Sequence, residues 1–428
     1  MISKTVILVL SLWLLTPLFS WAQSPATRPI PKVLFPASGF SPSDLAVIVN
    51  SADPASVEIA AYYQKKRGIP PENIITVSFP AKKPVMLAEI FNKIKARVDS
   101  LTPSNVQAYA LTWTQPYRVG CMSITSAFAL GFDQAYCAKG CKPTKPQPYV
   151  YSDSDHPFHE FNIRPTMSLV GSNIEQVKAL IDRGVAADGT APIGTAYLLE
   201  TTDKARNVRA KDYAKTISSL SQRLDIQHIH AQSIRNRPDV LFYFTGLKHV
   251  ANIDSNQFLP GAVADHLTSA GGVLKKNGSQ MSILRWLEAG ATGSYGAVVE
   301  PCNFPHKFPH PALVIDRYTQ GDSLIEAYWK SVVMPGQGIF IGEPLANPYR
   351  GHEVEYKNGQ IIVRTRAQRH GYIVQCAEAP VVPIKSVAIP ARHAMQKGVL
   401  EISFQNPGLP FCKLIPKQIR KIQPKQKN

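Results

Sequence analysis

Short apolar segments alternate with amphipathic ones near the start of this chain, and this order limits the possible folds more than any other feature. Apolar, β-branched segments at residues 45–50, 74–79 and 106–112 are separated by helix-like segments at residues 56–67 and 87–98. A strand-helix-strand-helix-strand order predicts a parallel sheet with right-handed crossovers. The chain is therefore expected to belong to the α/β class.

The alternation resumes after residues 114–165, a segment rich in Pro, Cys and aromatic residues that we interpret as an insertion. Further helices and strands are expected at residues 173–183, 196–200, 213–224, 240–244, 279–288, 296–300, 312–318, 323–332 and 338–342. After residue 351, short β segments separated by turns replace this pattern. We predict a mostly parallel sheet flanked by helices over residues 23–350, and a small β domain with a basic tail over residues 351–428.

The amino-terminal segment predicts export. Lys4 precedes the apolar residues 6–19, and residues 20–22 include the small side chains that signal peptidase requires. We therefore predict a signal peptide over residues 1–22 and a periplasmic or secreted mature protein. No later apolar run reaches the roughly 20 residues that a membrane helix needs, so no transmembrane segment is expected after cleavage.

The formal net charge of +17 favours contact with polyanions. Outside the cytoplasm these would be anionic envelope polymers, and exported proteins are the other partners that we consider. The sequence has no basic run interleaved with aromatic residues, so nucleic acid is not expected as a partner. General solubility is the alternative explanation of the charge.

The cysteines predict disulfides, because an even number in an oxidising compartment favours pairing. They are Cys121, Cys137, Cys141, Cys302, Cys376 and Cys412. At least one local disulfide is expected among the first three. The last two flank the final β-rich segment, where they can bridge it. Cys302 is then either unpaired or locked in an inert disulfide.

A zinc site is the alternative use of the first three cysteines. His156 and His159 follow them closely enough to complete a set of ligands. The spacing is loose, however, and no second close cysteine pair is present. We therefore expect neither a metal nor a cofactor.

One Pro-broken loop after an expected strand carries most of the reactive side chains of the chain. They are Glu300, Cys302, His306, Lys307 and His310. Loops that leave the carboxyl ends of strands form the crevice of α/β sheets, so residues 300–311 are expected to line the main cleft. If the protein does covalent chemistry, Cys302 is the candidate nucleophile, His306 or His310 its base, and Glu300 the group that orients the base.

Further candidate binding residues come from neighbouring loops. Lys307 adds a cation to the same segment, and Thr245 and Gly246 form the turn after an expected core strand. Asp203 and Arg206 lie in a polar loop that could line a cleft after its strand. An ordinary helix cap and a surface charge are the alternative roles of these two residues.

The strand order and the closing residues 342–348, Gly-Glu-Pro-Leu-Ala-Asn-Pro, resemble the gingipain-type peptidases. The resemblance implies a caspase-like core followed by an immunoglobulin-like β domain. Such peptidases take a histidine from the turn after one core strand and a cysteine from the end of the next. The corresponding residues here are Thr245-Gly246-Leu247 and His266-Leu267-Thr268, so neither member of the dyad is present and no peptidase activity is expected from that position.

A closer resemblance spans almost the whole mature chain. It rests on Asn50-Ser51, Arg67-Gly-Ile-Pro70, Pro116-Tyr-Arg-Val119, Arg164-Pro-Thr-Met167, Ile181-Asp-Arg-Gly184, Phe242-Tyr-Phe-Thr-Gly246, Glu300-Pro-Cys302 and Glu326-Ala-Tyr-Trp329. These segments look like those of an uncharacterised exported bacterial family found in genomes that carry exosortase, the enzyme that processes PEP-CTERM proteins. The resemblance implies a setting in the cell envelope and no reaction.

Two functions follow from these observations. In the first, a caspase-like scaffold without its dyad binds or assembles envelope components linked to exosortase and exopolysaccharide systems. In the second, Cys302 replaces the missing nucleophile and the protein is a cysteine-dependent peptidase or acyl transferase. A glycan-active enzyme with Glu300 and Glu343 as paired carboxylates is a third alternative. We favour the first, and the thiol state of Cys302 distinguishes it from the second.

Overall fold

The structure, a computed structural model, describes residues 29–36, 38–138, 140–275, 278–369, 371–380, 386–396 and 398–417. The expected signal peptide and the end of the basic tail lie outside these residues.

The described part of the chain alternates strands and helices up to residue 342 and is then all β. The strands are β1 Lys32–Leu34, β2 Leu45–Asn50, β3 Ile74–Val77, β4 Val85–Met86, β5 Ala108–Leu111, β6 Arg118–Val119, β7 Met122–Ser123, β8 Thr166–Ser168, β9 Thr195–Glu200, β10 Asp225–His230, β11 Val240–Thr245, β12 Phe258–His266, β13 Gly293–Ala297, β14 Gly338–Gly342, β15 His352–Lys357, β16 Gln360–Thr365, β17 Tyr372–Ala377, β18 Val387–Ile389, β19 Arg392–Gln396, β20 Val399–Gln405 and β21 Phe411–Pro416. The α-helices are α1 Pro54–Arg67, α2 Ala88–Leu101, α3 Ile124–Leu130, α4 Pro157–Phe161, α5 Ile174–Ala187, α6 Tyr213–Leu220, α7 Leu284–Glu288, α8 Pro311–Thr319 and α9 Leu324–Trp329.

Ten of the described strands form one sheet in the order β10-β9-β11-β12-β13-β14-β8-β5-β2-β3. Neighbours are parallel except for β13 and β14, which pair antiparallel with Gly293 opposite Gly342 and Ala297 opposite Gly338. The strands from β14 to β3 therefore run opposite to those from β13 to β10. Buried apolar clusters cover both faces of the sheet, as a parallel sheet flanked by helices requires. The predicted α/β class with a mostly parallel sheet is confirmed.

The helices begin and end where capping chemistry places them. Asp53 caps α1 by accepting a hydrogen bond from the Ala55 amide, and Pro54 occupies the first helical position. Gly68 ends α1 in the left-handed region at φ 64°, a conformation that costs glycine little. Asn173 caps α5 through the Gln176 amide. These signals explain why both helices were predictable from the sequence.

The strand that leads to the Cys302 loop differs from the prediction. It runs from Gly293 to Ala297, three residues before the expected range 296–300. Its glycines allow close approach of other segments, because a Cβ atom at Gly296 would lie 2.6 Å from the Gly272 backbone nitrogen. The β-branched pair that suggested a later strand, the buried Val298 and the partly buried Val299, instead begins the loop. Helix α7 is also shorter than the expected range 279–288.

The last part of the chain forms two four-stranded sheets, β1-β21-β17-β18 and β15-β16-β20-β19. Their inner faces share one apolar core, which includes Ile361, Val374, Ile402 and Leu414. The predicted change to short β segments is thus confirmed. The pairing of β1, from the amino-terminal side, with β21 was not foreseen from the sequence.

Three disulfides join Cys121 to Cys137, Cys141 to Cys302, and Cys376 to Cys412. The predicted local pair and the predicted bridge across the last β segment are confirmed, and the alternative zinc site is excluded because its cysteines are bonded to one another or to Cys302. Such bonds are typical of an oxidising compartment outside the cytoplasm. Every helix in the described residues is too short or too polar to cross a bilayer.

Candidate functional site

Because β13 and β14 are antiparallel, the carboxyl ends of the strands lie at one edge in one half of the sheet and at the opposite edge in the other half. Strands β9, β12 and β13 end at the same edge, and the loops that follow them line a cleft of about 260 Å³. Its lining consists of residues 205–206, 267–269 and 300–303 with Cys141 and Phe308. We call it the stapled cleft, because the Cys141–Cys302 disulfide is part of its wall. Crevices at carboxyl strand ends are where α/β proteins bind ligands.

Cys302 does not present a thiol in this structure. Its sulfur is bonded to Cys141, 161 residues earlier in the chain. A disulfide sulfur cannot act as the attacking thiolate, so the prediction of Cys302 as a free nucleophile is wrong for this state. Glu300 accepts a hydrogen bond from the Cys302 amide at 2.7 Å, which makes its carboxylate a support for the loop backbone.

The two histidines expected to act as bases lie outside the lining of the stapled cleft. His306 is exposed in a short 3₁₀ turn. His310 precedes α8, and its Nε2 atom lies 3.9 Å from the Asp212 carboxylate. Burial lowers the pKa of His310. With the Cys302 sulfur in a disulfide, neither imidazole has a thiol to deprotonate, and the structure does not support their predicted role as general base.

Lys307, which was predicted to be a binding residue, is buried. Its ammonium donates to the backbone carbonyls of Lys142 at 2.7 Å and Pro301 at 2.9 Å. Burial lowers the pKa of Lys307. These bonds join the same two segments as the disulfide, since Lys142 follows Cys141 and Pro301 precedes Cys302. Lys307 therefore stabilises the wall of the stapled cleft.

The turn after β11 is covered by the loop that follows β9. A Cβ atom at Gly246 would collide with the backbone carbonyl of Arg206, and the Thr201 hydroxyl donates to the Gly246 carbonyl at 2.7 Å. Thr245 is fully buried. Both predicted binding residues are thus packed beneath the cleft. A side chain at Gly246 would not fit unless the backbone at Arg206 moved.

Arg206 is the predicted binding residue that the fold brings to the stapled cleft. Its guanidinium pairs with Asp203 at 2.8 Å, and its Nε atom donates to the Thr268 hydroxyl at 3.0 Å. Both charged side chains remain partly exposed. Arg206 lies in the cleft lining, whereas Asp203 holds the guanidinium in place from outside it.

A buried ion pair beneath the stapled cleft was not foreseen from the sequence. Arg209 donates to Asp265 at 2.6 Å, to the Thr245 carbonyl at 2.7 Å and to the Pro309 carbonyl at 3.1 Å. One guanidinium thus ties together β11, the end of β12 and the loop before α8. Burial raises the pKa of Asp265, and the charge of Arg209 opposes that rise. The chain gives no local signal for this pair, whose members are 56 residues apart.

His266, at the end of β12, is a structural residue. The Trp286 indole donates to its Nδ1 atom at 2.9 Å, and its Nε2 atom lies 3.0 Å from the Met281 carbonyl. Burial lowers the pKa of His266 to about 3, so the ring is neutral at physiological pH. Because both ring nitrogens are already engaged, His266 has no free nitrogen with which to act as a general base.

Two further clefts were missed from the sequence. One of them has a volume of about 530 Å³ and adjoins the stapled cleft at Asn303. Its walls include Glu200, Lys211 and Pro305, and we call it the edge cleft. The other, of about 290 Å³, lies at the opposite edge of the sheet against the end of β5, with Asp53 and Thr112 in its walls. Residues of the segment 300–311 line the stapled cleft and, at Asn303 and Pro305, also the edge cleft, which has the largest volume of these three clefts.

The paired-carboxylate hypothesis is wrong. Glu300 follows β13 and Glu343 follows β14, so the antiparallel pairing places them beyond opposite ends of a five-residue strand. At about 3.3 Å per residue the strand alone spans roughly 15 Å, so the two carboxylates lie beyond the 5–9.5 Å or so that glycosidases use. Glu343 is also fully buried, where it pairs with Arg67 and accepts a hydrogen bond from Tyr63 at 2.6 Å.

Comparisons with known proteins do not assign the chain to a family. No protein-family model matches it, and no curated protein matches it. A solved structure named "Structure of Protease" aligns with 88% of this chain and 98% of that chain, at 10% identity and a TM-score of 0.37. A likeness of this size identifies neither a family nor an activity. The resemblances to the exosortase-associated family and to gingipain-type peptidases remain predictions.

Proposed function

We propose that this protein is an exported, non-catalytic binding protein of the cell envelope that holds an anionic polymer at the stapled cleft. The observation that carries the proposal is the Cys141–Cys302 disulfide, which turns the most reactive residue of the loop into a fixed part of the cleft wall. The bonds from Lys307 to Lys142 and Pro301 reinforce the same wall. Such a preformed surface lowers the entropy lost when a ligand binds.

The charge of the surrounding loops supports an anionic ligand. Arg206 lies in the lining, and the exposed Lys204 belongs to the same loop. Lys211 extends the cationic surface into the edge cleft, and Lys142 is exposed beside the disulfide. Three carboxylates oppose this charge in part: Glu300 in the stapled cleft, Glu200 in the edge cleft, and Asp203, which pairs with Arg206. A polymer of uronic acids fits this pattern because it offers repeated carboxylates to a shallow, cationic rim.

The exosortase setting rests on the sequence resemblance. A binding protein in such an envelope would retain or order acidic exopolysaccharide at the cell surface, and a periplasmic or secreted location is proposed accordingly. The three disulfides are consistent with that location.

Titration calorimetry with oligogalacturonate tests the proposal. The variant Lys204→Glu/Lys211→Glu reverses two exposed cations, Lys204 beside the lining residues 205–206 and Lys211 in the wall of the edge cleft. The variant Lys65→Glu/Lys93→Glu makes the same change in charge on exposed positions of α1 and α2. At about 1 kcal/mol per basic contact, the cleft variant should bind roughly 30-fold more weakly, and the control should retain most of the affinity. Affinity should also fall as salt is raised. Equal losses in both variants, or equal binding of neutral dextran, would contradict the proposal.

A further inference from the structure

Two histidines and a carboxylate converge at the outer edge of the core sheet. His228 and His230 are two residues apart on the edge strand β10 and so project from the same face of it. Glu200 ends the neighbouring strand β9 and is directly opposite His230 in the parallel register. The possible ligand atoms of the three side chains all lie within 4.8 Å of one another.

We propose that Glu200, His228 and His230 form a binding site for a divalent transition metal, with Zn²⁺ as the best-fitting ion. Two imidazole nitrogens and one carboxylate oxygen are a donor set that zinc accepts, and three protein ligands leave a coordination position open. Mg²⁺ and Ca²⁺ prefer sites made wholly of oxygen atoms. The site depends on neither the stapled cleft nor the proposed polymer.

The surroundings fix two of the three ligands before any ion binds. The His228 ring packs edge-on against Tyr213 of α6, with ring centroids 5.3 Å apart. Its Nε2 atom lies 2.8 Å from Glu200, which indicates that the pair is already oriented as a hydrogen bond. The His230 ring lies beside His228 in a tilted arrangement, with 4.8 Å between the ring centroids, and is mostly exposed. A metal ion bound to the Nε2 atom of His228 would take the place of the proton between Glu200 and His228.

The site is open to ligands on one side. Glu200 is also part of the wall of the edge cleft, together with Asn207 and Lys211. An ion held by Glu200 can therefore be reached through this cleft, and its remaining positions can take water or an incoming carboxylate. This arrangement is the reason to prefer an exchangeable site over a closed structural one, in which four protein ligands surround the ion.

Zinc titration of the untagged, chelator-treated mature chain tests the inference, with a chromophoric chelator as competitor. Glu200→Gln and His230→Ala should each lower zinc affinity at least tenfold, because even outer-shell changes cost about that much. The double variant His156→Ala/His159→Ala is the matched control, since it removes another neighbouring pair of exposed rings, 6.0 Å apart. It should leave the affinity unchanged.

A second measurement does not depend on the folding of any variant. Zinc affinity of the unmodified chain should fall as the pH is lowered from 8 to 5.5, because protons compete for the imidazole nitrogens. A large excess of Mg²⁺ should not displace the zinc. Zinc binding that is unchanged in both Glu200→Gln and His230→Ala, that is lost in the control, or that is independent of pH would overturn the inference.

Discussion

Removal of the Cys141–Cys302 disulfide should destabilise the core more than removal of either other disulfide. The bond closes a loop of 161 residues, whereas the other two close loops of 16 and 36 residues. Neither of the shorter loops lies within the long one. A cross-link stabilises a fold mainly by reducing the entropy of the unfolded chain, and this effect grows with the length of the loop.

The loop lengths give an upper estimate of each contribution. The chain-entropy relation predicts about 5 kcal/mol for Cys141–Cys302 and about 3 kcal/mol for Cys121–Cys137 at 25 °C. The double variant Cys141→Ser/Cys302→Ser should therefore lower the free energy of unfolding by roughly 2 kcal/mol more than Cys121→Ser/Cys137→Ser. Both pairs belong to the part of the chain that contains the core sheet, which makes the second variant a matched control.

Urea unfolding without reductant, followed by tryptophan fluorescence and by circular dichroism, measures both losses. The cleft wall should loosen as well, so limited proteolysis should cut first near residues 300–303 in the long-loop variant. Equal losses of stability in the two variants, or a change below about 1 kcal/mol on removal of Cys141–Cys302, would refute the argument from loop length.

Three further changes test the packing beneath the cleft. Gly246→Ala should cost about 1–3 kcal/mol in urea unfolding, because its Cβ atom meets the Arg206 carbonyl. Asp265→Ala should cost about 3–5 kcal/mol by leaving Arg209 buried without its partner, and Asp265→Ala/Arg209→Met should recover part of that loss. Burial lowers the pKa of His266 to about 3 in the folded protein, whereas an unfolded histidine has a pKa of about 6.5. Between these two pH values His266 therefore binds a proton in the unfolded chain and not in the folded one. The free energy of unfolding should therefore decrease as the pH is lowered through that window, by up to about 1.4 kcal/mol per pH unit. The variant His266→Gln should show a smaller dependence of stability on pH.

Sequence patterns predicted the elements of the fold better than their arrangement. Helix α1 carries its own signals in Asp53, Pro54 and Gly68, and β2 is a continuous apolar segment, so both could be located from local chemistry. The antiparallel pairing of β13 with β14 depends on contacts between distant residues. No local sequence pattern indicates this pairing. The pairing is the reason why Glu300 and Glu343 lie at opposite edges of the sheet.

The candidate site was predictable in its location and not in its chemistry. The Pro-broken loop does line a cleft at Glu300 and Cys302, as expected from its position after a strand. The partner of Cys302 and the burial of Lys307 are set by the insertion, whose path is invisible in the sequence. Strand β10 was missed because an edge strand with the order Asp-Ile-Gln-His-Ile-His is too polar to stand out, although its alternating histidines were the available signal.

Peptide mapping of the native protein tests most directly whether Cys302 is a structural staple of a binding cleft. The folded mature chain is treated with an alkylating reagent, digested without reductant and analysed by mass spectrometry. We predict an unlabelled peptide pair joined by Cys141 and Cys302, with labelling only after reduction. Rapid alkylation of Cys302 in the folded, unreduced protein would contradict the account and restore the cysteine-enzyme hypothesis.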